Sequence, residues 1–93
     1  MSKRRVVITG LGMVTPVGLT VAESWQNILA GKSGISPIEH FDVSDFPTRF
    51  GCSVKGFDAT DYIPGKDIKK MDPFIHYGIA AGKQAIEDSG LEV

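Results

Sequence analysis

Three lysines, Lys66, Lys69 and Lys70, stand at the spacings i, i+3 and i+4. In a helical turn those spacings put three ammonium groups on one face. Such a cluster is either a solvated surface turn or a docking patch for an acidic partner, and spacing alone does not choose. Other reactive side chains are sparse. Cys52 is the only cysteine. A nucleophilic thiol wants a base and an electropositive or helix-N-terminal setting. None is visible around it, so a packed thiol is expected. His40 and His76 lie far apart, with no carboxylate or cysteine pattern of a metal site around them. His76 falls mid-helix, and a satisfied structural or surface role is expected for it. Gly10 and Gly12, in TGLGMVTPVG, invite a phosphate-loop reading. It fails, because the third glycine of GxGxxG falls on Thr15, no Gly-Lys-Ser/Thr follows, and no ribose-binding acid is evident. Gly10, Gly12, Pro16 and Gly18 read instead as turn chemistry where backbone passes close to other backbone.

These residues need elements to hold them. The stretch Asp72–Ser89 is expected to be a core helix. Asp72 can act as N-cap, Pro73 fits the first helical position, and Gly90 can take the left-handed conformation that ends it. Ile75, Ile79, Gly82 and Ile86 form one stripe, and Phe74, Tyr77, Gly78, Ala81 and Ala85 the next. A helix apolar over so much of its circumference is usually buried on more than one side. Glycine inside a helix costs about 1 kcal/mol against alanine. Gly78 and Gly82 therefore suggest that something packs very close. An earlier helix starts at a capping box, Thr20-Val21-Ala22-Glu23, runs to about Ala30 and stops at Gly31. Val21, Trp25, Ile28 and Leu29 give its expected buried face, with Trp25 as a core anchor. Val6-Val7-Ile8 is a short β-branched run without alternation, which suits a strand covered on both faces of a parallel or mixed sheet. Lys32 to Pro64 is loop-rich, with a short strand expected over Phe50–Val54 and Gly51 as a possible bulge.

Composition narrows the function classes. Ninety-three residues allow one small domain. The chain is 42% hydrophobic and 23% charged, with net charge −1. That balance gives no support to nucleic acid or an anionic membrane surface as partner. No run of 18 apolar residues exists to span a membrane, and the N-terminus is no secretory signal. One cysteine makes no internal disulfide, which fits a reducing, cytoplasmic setting. A parallel sheet would need a second strand at about Glu92-Val93, where the chain stops. One strand and two helices are a poor core for a helix apolar on two sides. The chain is therefore expected to be the front of something larger.

Three stretches, RRVVITGLGMVTPVG, ESWQNILAGKSGI and KKMDPFIHYGIAAGKQAIEDSGLE, closely resemble the N-terminal portion of the bacterial β-ketoacyl-acyl-carrier-protein synthase II family. The resemblance covers essentially all of residues 1–93. It implies an α/β chain that is the N-terminal piece of a thiolase-like fold, layered α-β-α-β-α, with the catalytic remainder absent. Val6–Ile8 would be a central strand and Asp72–Ser89 a helix of the buried layer. The implied activity is fatty-acid elongation by decarboxylative Claisen condensation of malonyl and acyl thioesters carried on acyl carrier protein. A cysteine and two histidines do this chemistry in the family, with electrostatics of the oxyanion-hole kind. All lie downstream of Val93, so Cys52, His40 and His76 do not match them. This chain alone is expected to be inactive, with no catalytic residue. Lys66, Lys69 and Lys70 match the family's basic turn that helps dock the acidic carrier protein. The resemblance further implies a homodimer at full length, and neither a metal nor an organic cofactor. The alternatives are a non-catalytic partner of the same fold, such as a chain-length factor, and a stand-alone carrier-binding module.

Overall fold

The computed structural model describes residues 3–92. The long helix forms as its signals require. α3 runs Pro73–Ser89, with Asp72 as N-cap and Gly90 ending it at φ 73°. The Asp72 carboxylate makes no capping bond, however. The Asp72 carbonyl instead accepts the Ile75 N–H at 3.0 Å. α1 runs Val21–Leu29. The Thr20 hydroxyl accepts the Glu23 N–H at 3.2 Å, which is one half of the expected capping box. Gly31, at φ 73°, ends the helix.

Between these helices the chain is sparse in regular structure. β1, Ser36–Pro37, pairs antiparallel with β2, Phe50–Gly51, with Ser36 opposite Gly51 and Pro37 opposite Phe50. The strand expected over Phe50–Val54 is thus two residues long, and Gly51 lies in register, not in a bulge. A 3₁₀ turn, Ala59–Asp61, leads into α2, Gly65–Ile68. Asp58 caps that turn by accepting the Thr60 N–H at 2.9 Å.

The glycine stretch and α3 form the closest packing in the chain. A Cβ placed on Gly10 would stand 2.2 Å from the Ala85 carbonyl oxygen, and one on Gly12 would stand 1.9 Å from the Ala81 oxygen. Backbone therefore lies on backbone there, as the close-approach reading expects, although Gly10 and Gly12 sit in extended chain and the turn itself falls at Pro16-Val17. The helix contributes Ala81 and Ala85 to that contact. Gly78 and Gly82, expected to admit a close neighbour, have nothing near a Cβ position. Side-chain amides and carboxylates complete the contact. Leu11 N–H donates to Asp88 Oδ2 at 3.0 Å and Met13 N–H to Gln84 Oε1 at 3.1 Å. Gln84 Nε2 in turn donates to the Leu19 carbonyl at 2.7 Å and to the Tyr62 hydroxyl at 3.0 Å. One side chain thus ties the glycine stretch, the entry to α1 and the approach to α2.

The apolar expectations fare differently. Val6, Val7 and Ile8 pair with no strand among the described residues, and Val6 is 94% exposed. A parallel strand needs neighbours from elsewhere in a sheet, and residues 3–92 supply none beside it. Trp25, expected as a core anchor, is 58% exposed, and Ile28 and Leu29 also face outward. α1 docks through its polar side instead. Ser24, 1% exposed, shares a 2.9 Å hydrogen bond with the Thr15 hydroxyl, and Asn27 Nδ2 donates to the Val17 carbonyl. The turn it meets is itself closed by paired Thr15 and Gly18 backbone bonds of 2.8 and 3.2 Å. α3 likewise buries one side only: Ala80 is fully buried while Phe74 and Ile86 are exposed. Ile63 and Ala80 are the buried apolar side chains among the described residues.

The outline follows from this. The radius of gyration is 17.0 Å, against about 12 Å for a compact domain of this length. Accessible surface is 7567 Å², against about 5,200 Å² for a folded monomer of this mass. No helix among the described residues is long and apolar enough to cross a membrane.

Candidate functional site

The lysine turn is built from short-range backbone bonds. Pro64 opens α2 with φ −55°, and its carbonyl accepts the Asp67 N–H at 2.9 Å. Lys69 closes the helix at φ −68°, still in the right-handed region. The coil continues past it, with Lys70 N–H donating to the Asp67 carbonyl at 3.2 Å and Met71 N–H to that of Ile68 at 3.3 Å. Lys66, Lys69 and Lys70 therefore sit on one continuous coil, and all three are exposed.

Their electrostatic settings differ. Lys70 Nζ lies 3.8 Å from Asp67 Oδ1, the only ion pair among the described residues. Both side chains are well solvated, so the pair is worth at most about 1 kcal/mol. Lys66 and Lys69 carry no ion pair among the described residues. The turn thus presents two uncompensated ammonium groups and a third held weakly.

The support behind the turn comes from two sides. Phe57 stacks on Tyr62 with ring centroids 6.1 Å apart and meets Tyr77 of α3 edge-on at 5.1 Å. Lys83 Nζ donates to the Tyr62 carbonyl. An open cleft of about 470 Å³ is lined by Ile63, Met71 and Ile79 together with Lys70 and Lys83. From α3, His76 Nε2 stands 3.0 Å from the Ile68 carbonyl oxygen. This is the structural role expected of His76, now with a partner.

The other reactive side chains stay apart from the turn. Cys52, expected to be packed, is exposed directly after β2. His40 is exposed and meets the Phe41 ring edge-on, at 4.9 Å. No cluster of three histidine, cysteine or acidic side chains able to hold a metal occurs among the described residues. Gly10 and Gly12, considered above as phosphate-binding, have their space filled by α3.

Sequence reading missed Gln84 and Asp88, whose side chains receive the glycine stretch. The available signal was their polarity beside small residues on a largely apolar helix. It gives no hint of which distant backbone they meet.

Comparison with known proteins adds the context of this site. Residues 3–93 match the family described as Beta-ketoacyl synthase, N-terminal domain. The whole chain is 66% identical to the 3-oxoacyl-acyl-carrier-protein synthase 2 of Vibrio cholerae serotype O1, and 50% identical to that of Coxiella burnetii. It spans 22% of the length of each. It is 42% identical over 87 residues to the tetracenomycin polyketide synthase ketoacyl synthase beta subunit of Streptomyces glaucescens, covering 94% of this chain and 21% of that one. Among solved structures, the ishigamide ketosynthase/chain length factor matches with TM-score 0.88 and 34% identity, over 98% of this chain and 23% of its own. The fold is therefore the N-terminal piece of a thiolase-like fold.

Proposed function

We propose, on the premise that the chain belongs to the beta-ketoacyl synthase N-terminal domain family, that it is the N-terminal portion of an elongating condensing enzyme. The reaction is decarboxylative Claisen condensation of malonyl-carrier with acyl-carrier thioesters in fatty-acid synthesis. The observation that carries this reading is 66% identity over the whole chain to a 3-oxoacyl-acyl-carrier-protein synthase 2. The bond-making residues belong to the part beyond residue 93, and no residue here is assigned a catalytic role. In the full protein, residues 1–93 are part of the synthase N-terminal domain, and the enzyme acts in the cytoplasm as a homodimer without a cofactor.

The part that residues 1–93 play is to present the carrier-docking turn. Lys66, Lys69 and Lys70 are exposed on one coil, and Lys66 and Lys69 have no acidic partner to neutralise them. An acidic carrier protein supplies the complementary charge. Exposed pairs contribute roughly 0.2–1 kcal/mol each. Three lysines therefore steer encounter and orientation more than they anchor the complex. The competing reading, a non-catalytic chain-length factor, draws on the likeness to the ishigamide ketosynthase/chain length factor, but at 34% identity that likeness is more distant than the 66% to the synthase 2.

Reversing the three charges together, Lys66→Glu, Lys69→Glu and Lys70→Glu, in the full-length synthase tests the docking role. The kcat/KM for carrier-bound substrate is expected to fall on the order of tenfold, more at low salt than at high. A small thioester substrate should be turned over as before. Equal losses with both substrates would refute docking.

A further inference from the structure

The helix that carries the lysine coil, α2, is only four residues long. Its terminus leaves carbonyl groups without partners in the helix. At Ile68 that vacancy is filled twice, by the Met71 N–H at 3.3 Å and by His76 Nε2 at 3.0 Å. A carbonyl only accepts, so Nε2 carries the hydrogen. His76 belongs to the first turn of α3, its own N–H bonded to the Asp72 carbonyl at 3.4 Å. Its side chain thus reaches back across the break between α2 and α3. It fastens the last residue before Lys69 and Lys70 to the longest helix of the chain. The imidazole is half-buried, so solvent competes only in part for this bond.

We propose that His76 is a positioning residue for carrier docking: by holding the Ile68 carbonyl it fixes the direction in which Lys69 and Lys70 present their charge. This rests on the docking reading of the lysine turn. A four-residue coil has little internal strength, and a loose one would have to be ordered on each encounter. Fixing it in advance removes that cost from binding.

The test uses the full-length synthase with His76→Ala, His76→Gln and the triple lysine-to-glutamate variant. KM and kcat are measured with carrier-bound and small acyl thioesters. His76→Ala is expected to raise KM for the carrier-bound substrate about two- to tenfold, the worth of one such hydrogen bond. Its kcat, and its kinetics with the small thioester, should stay near those of the parent. His76→Gln, whose amide nitrogen can occupy the Nε2 position, should restore the carrier KM. The inference is overturned if His76→Ala impairs both substrates alike, leaves both untouched, or is not rescued by glutamine. The triple variant separates the two failures. If it spares the carrier-bound substrate, the docking reading itself fails. If it impairs that substrate while His76→Ala does not, only the positioning role is lost.

Discussion

The glycine stretch lies on α3 with backbone touching backbone, whereas the apolar stripe of α1 stands in solvent. Gly10 and Gly12 meet Ala85 and Ala81 at distances no side chain could occupy. Trp25, Ile28 and Leu29 meet little, although they hold most of that helix's apolar surface. The contrast shows what holds residues 3–92 together. The contacts joining the glycine stretch, α1 and α3 are made by small residues and by the polar side chains of Gln84, Asp88, Ser24 and Asn27, while Phe57, Tyr62 and Tyr77 form a separate aromatic cluster under the lysine turn. Many large apolar side chains, the usual main source of stability, stand exposed instead, Val6, Ile8, Trp25, Leu29 and Phe74 among them. For a chain spanning 22% of the length of its relatives, that distribution suits a segment whose packing is shared with other parts of a larger fold.

The contrast predicts a ranking of substitutions. Gly12→Ala should be the most damaging, because its Cβ would meet the Ala81 oxygen and lie 2.8 Å from the Ala85 nitrogen. Both are helix backbone, which cannot rotate away. A loss at the upper end of about 1–3 kcal/mol or beyond is expected, read as a lower urea midpoint with unchanged slope. A shift no larger than that of a surface substitution would mean the contact is not close.

Gln84→Leu comes next. It keeps side-chain volume but strips partners from the Met13 N–H, the Leu19 carbonyl and the Tyr62 hydroxyl. A cost of about 1–3 kcal/mol is expected. Gln84→Glu should cost less at the Met13 N–H, which keeps its acceptor, while the Leu19 carbonyl loses its donor. Equal losses for the two variants would assign the effect to shape and not to hydrogen bonding.

Trp25→Ser should be far milder in the 93-residue chain. Its ring is mostly solvated there, so unfolding should move within about 0.5 kcal/mol. The same change in the full-length synthase should cost several-fold more if the stripe is covered there. Matching small effects in both settings would break the contrast.

The smallest effect belongs to a surface turn. The hydrogen bonds from the Thr60 side chain and backbone hold the Asp58 carboxyl below its ordinary value of 3.8. A carboxyl lowered by folding contributes stability that is complete above the ordinary value and is lost as pH falls through the lowered one. Carbon-detected titration should place its midpoint below 3.8, and a midpoint at or above that value would mean the cap does not form.

Much of the local structure was legible in the sequence. Thr20, Gly31, Pro73 and Gly90 mark helix ends through backbone chemistry that acts within a few residues, and the helices begin and end beside them. The close-approach reading of Gly10 and Gly12 holds for the same reason, since a missing Cβ is a property of the residue itself. The lysine spacing also survives as one exposed coil.

What tertiary structure decided is which surface each element turns inward. The apolar stripe of α1 predicts burial, but periodicity says only that a helix has an apolar face, not that residues 3–92 supply its partner. Val6–Ile8 likewise reads as strand, yet a strand exists only through neighbours, and none lies beside it among the described residues. Gln84 and His76 acquire their roles from backbone 65 and 8 residues away. The sequence by itself determined where helices start and stop and where backbone can approach backbone, because those are short-range steric and hydrogen-bonding preferences. The fastening of the lysine turn to α3 and the outward-facing apolar surface were decided only by tertiary structure, because they depend on how one element lies against another, which the residues of neither element encode alone.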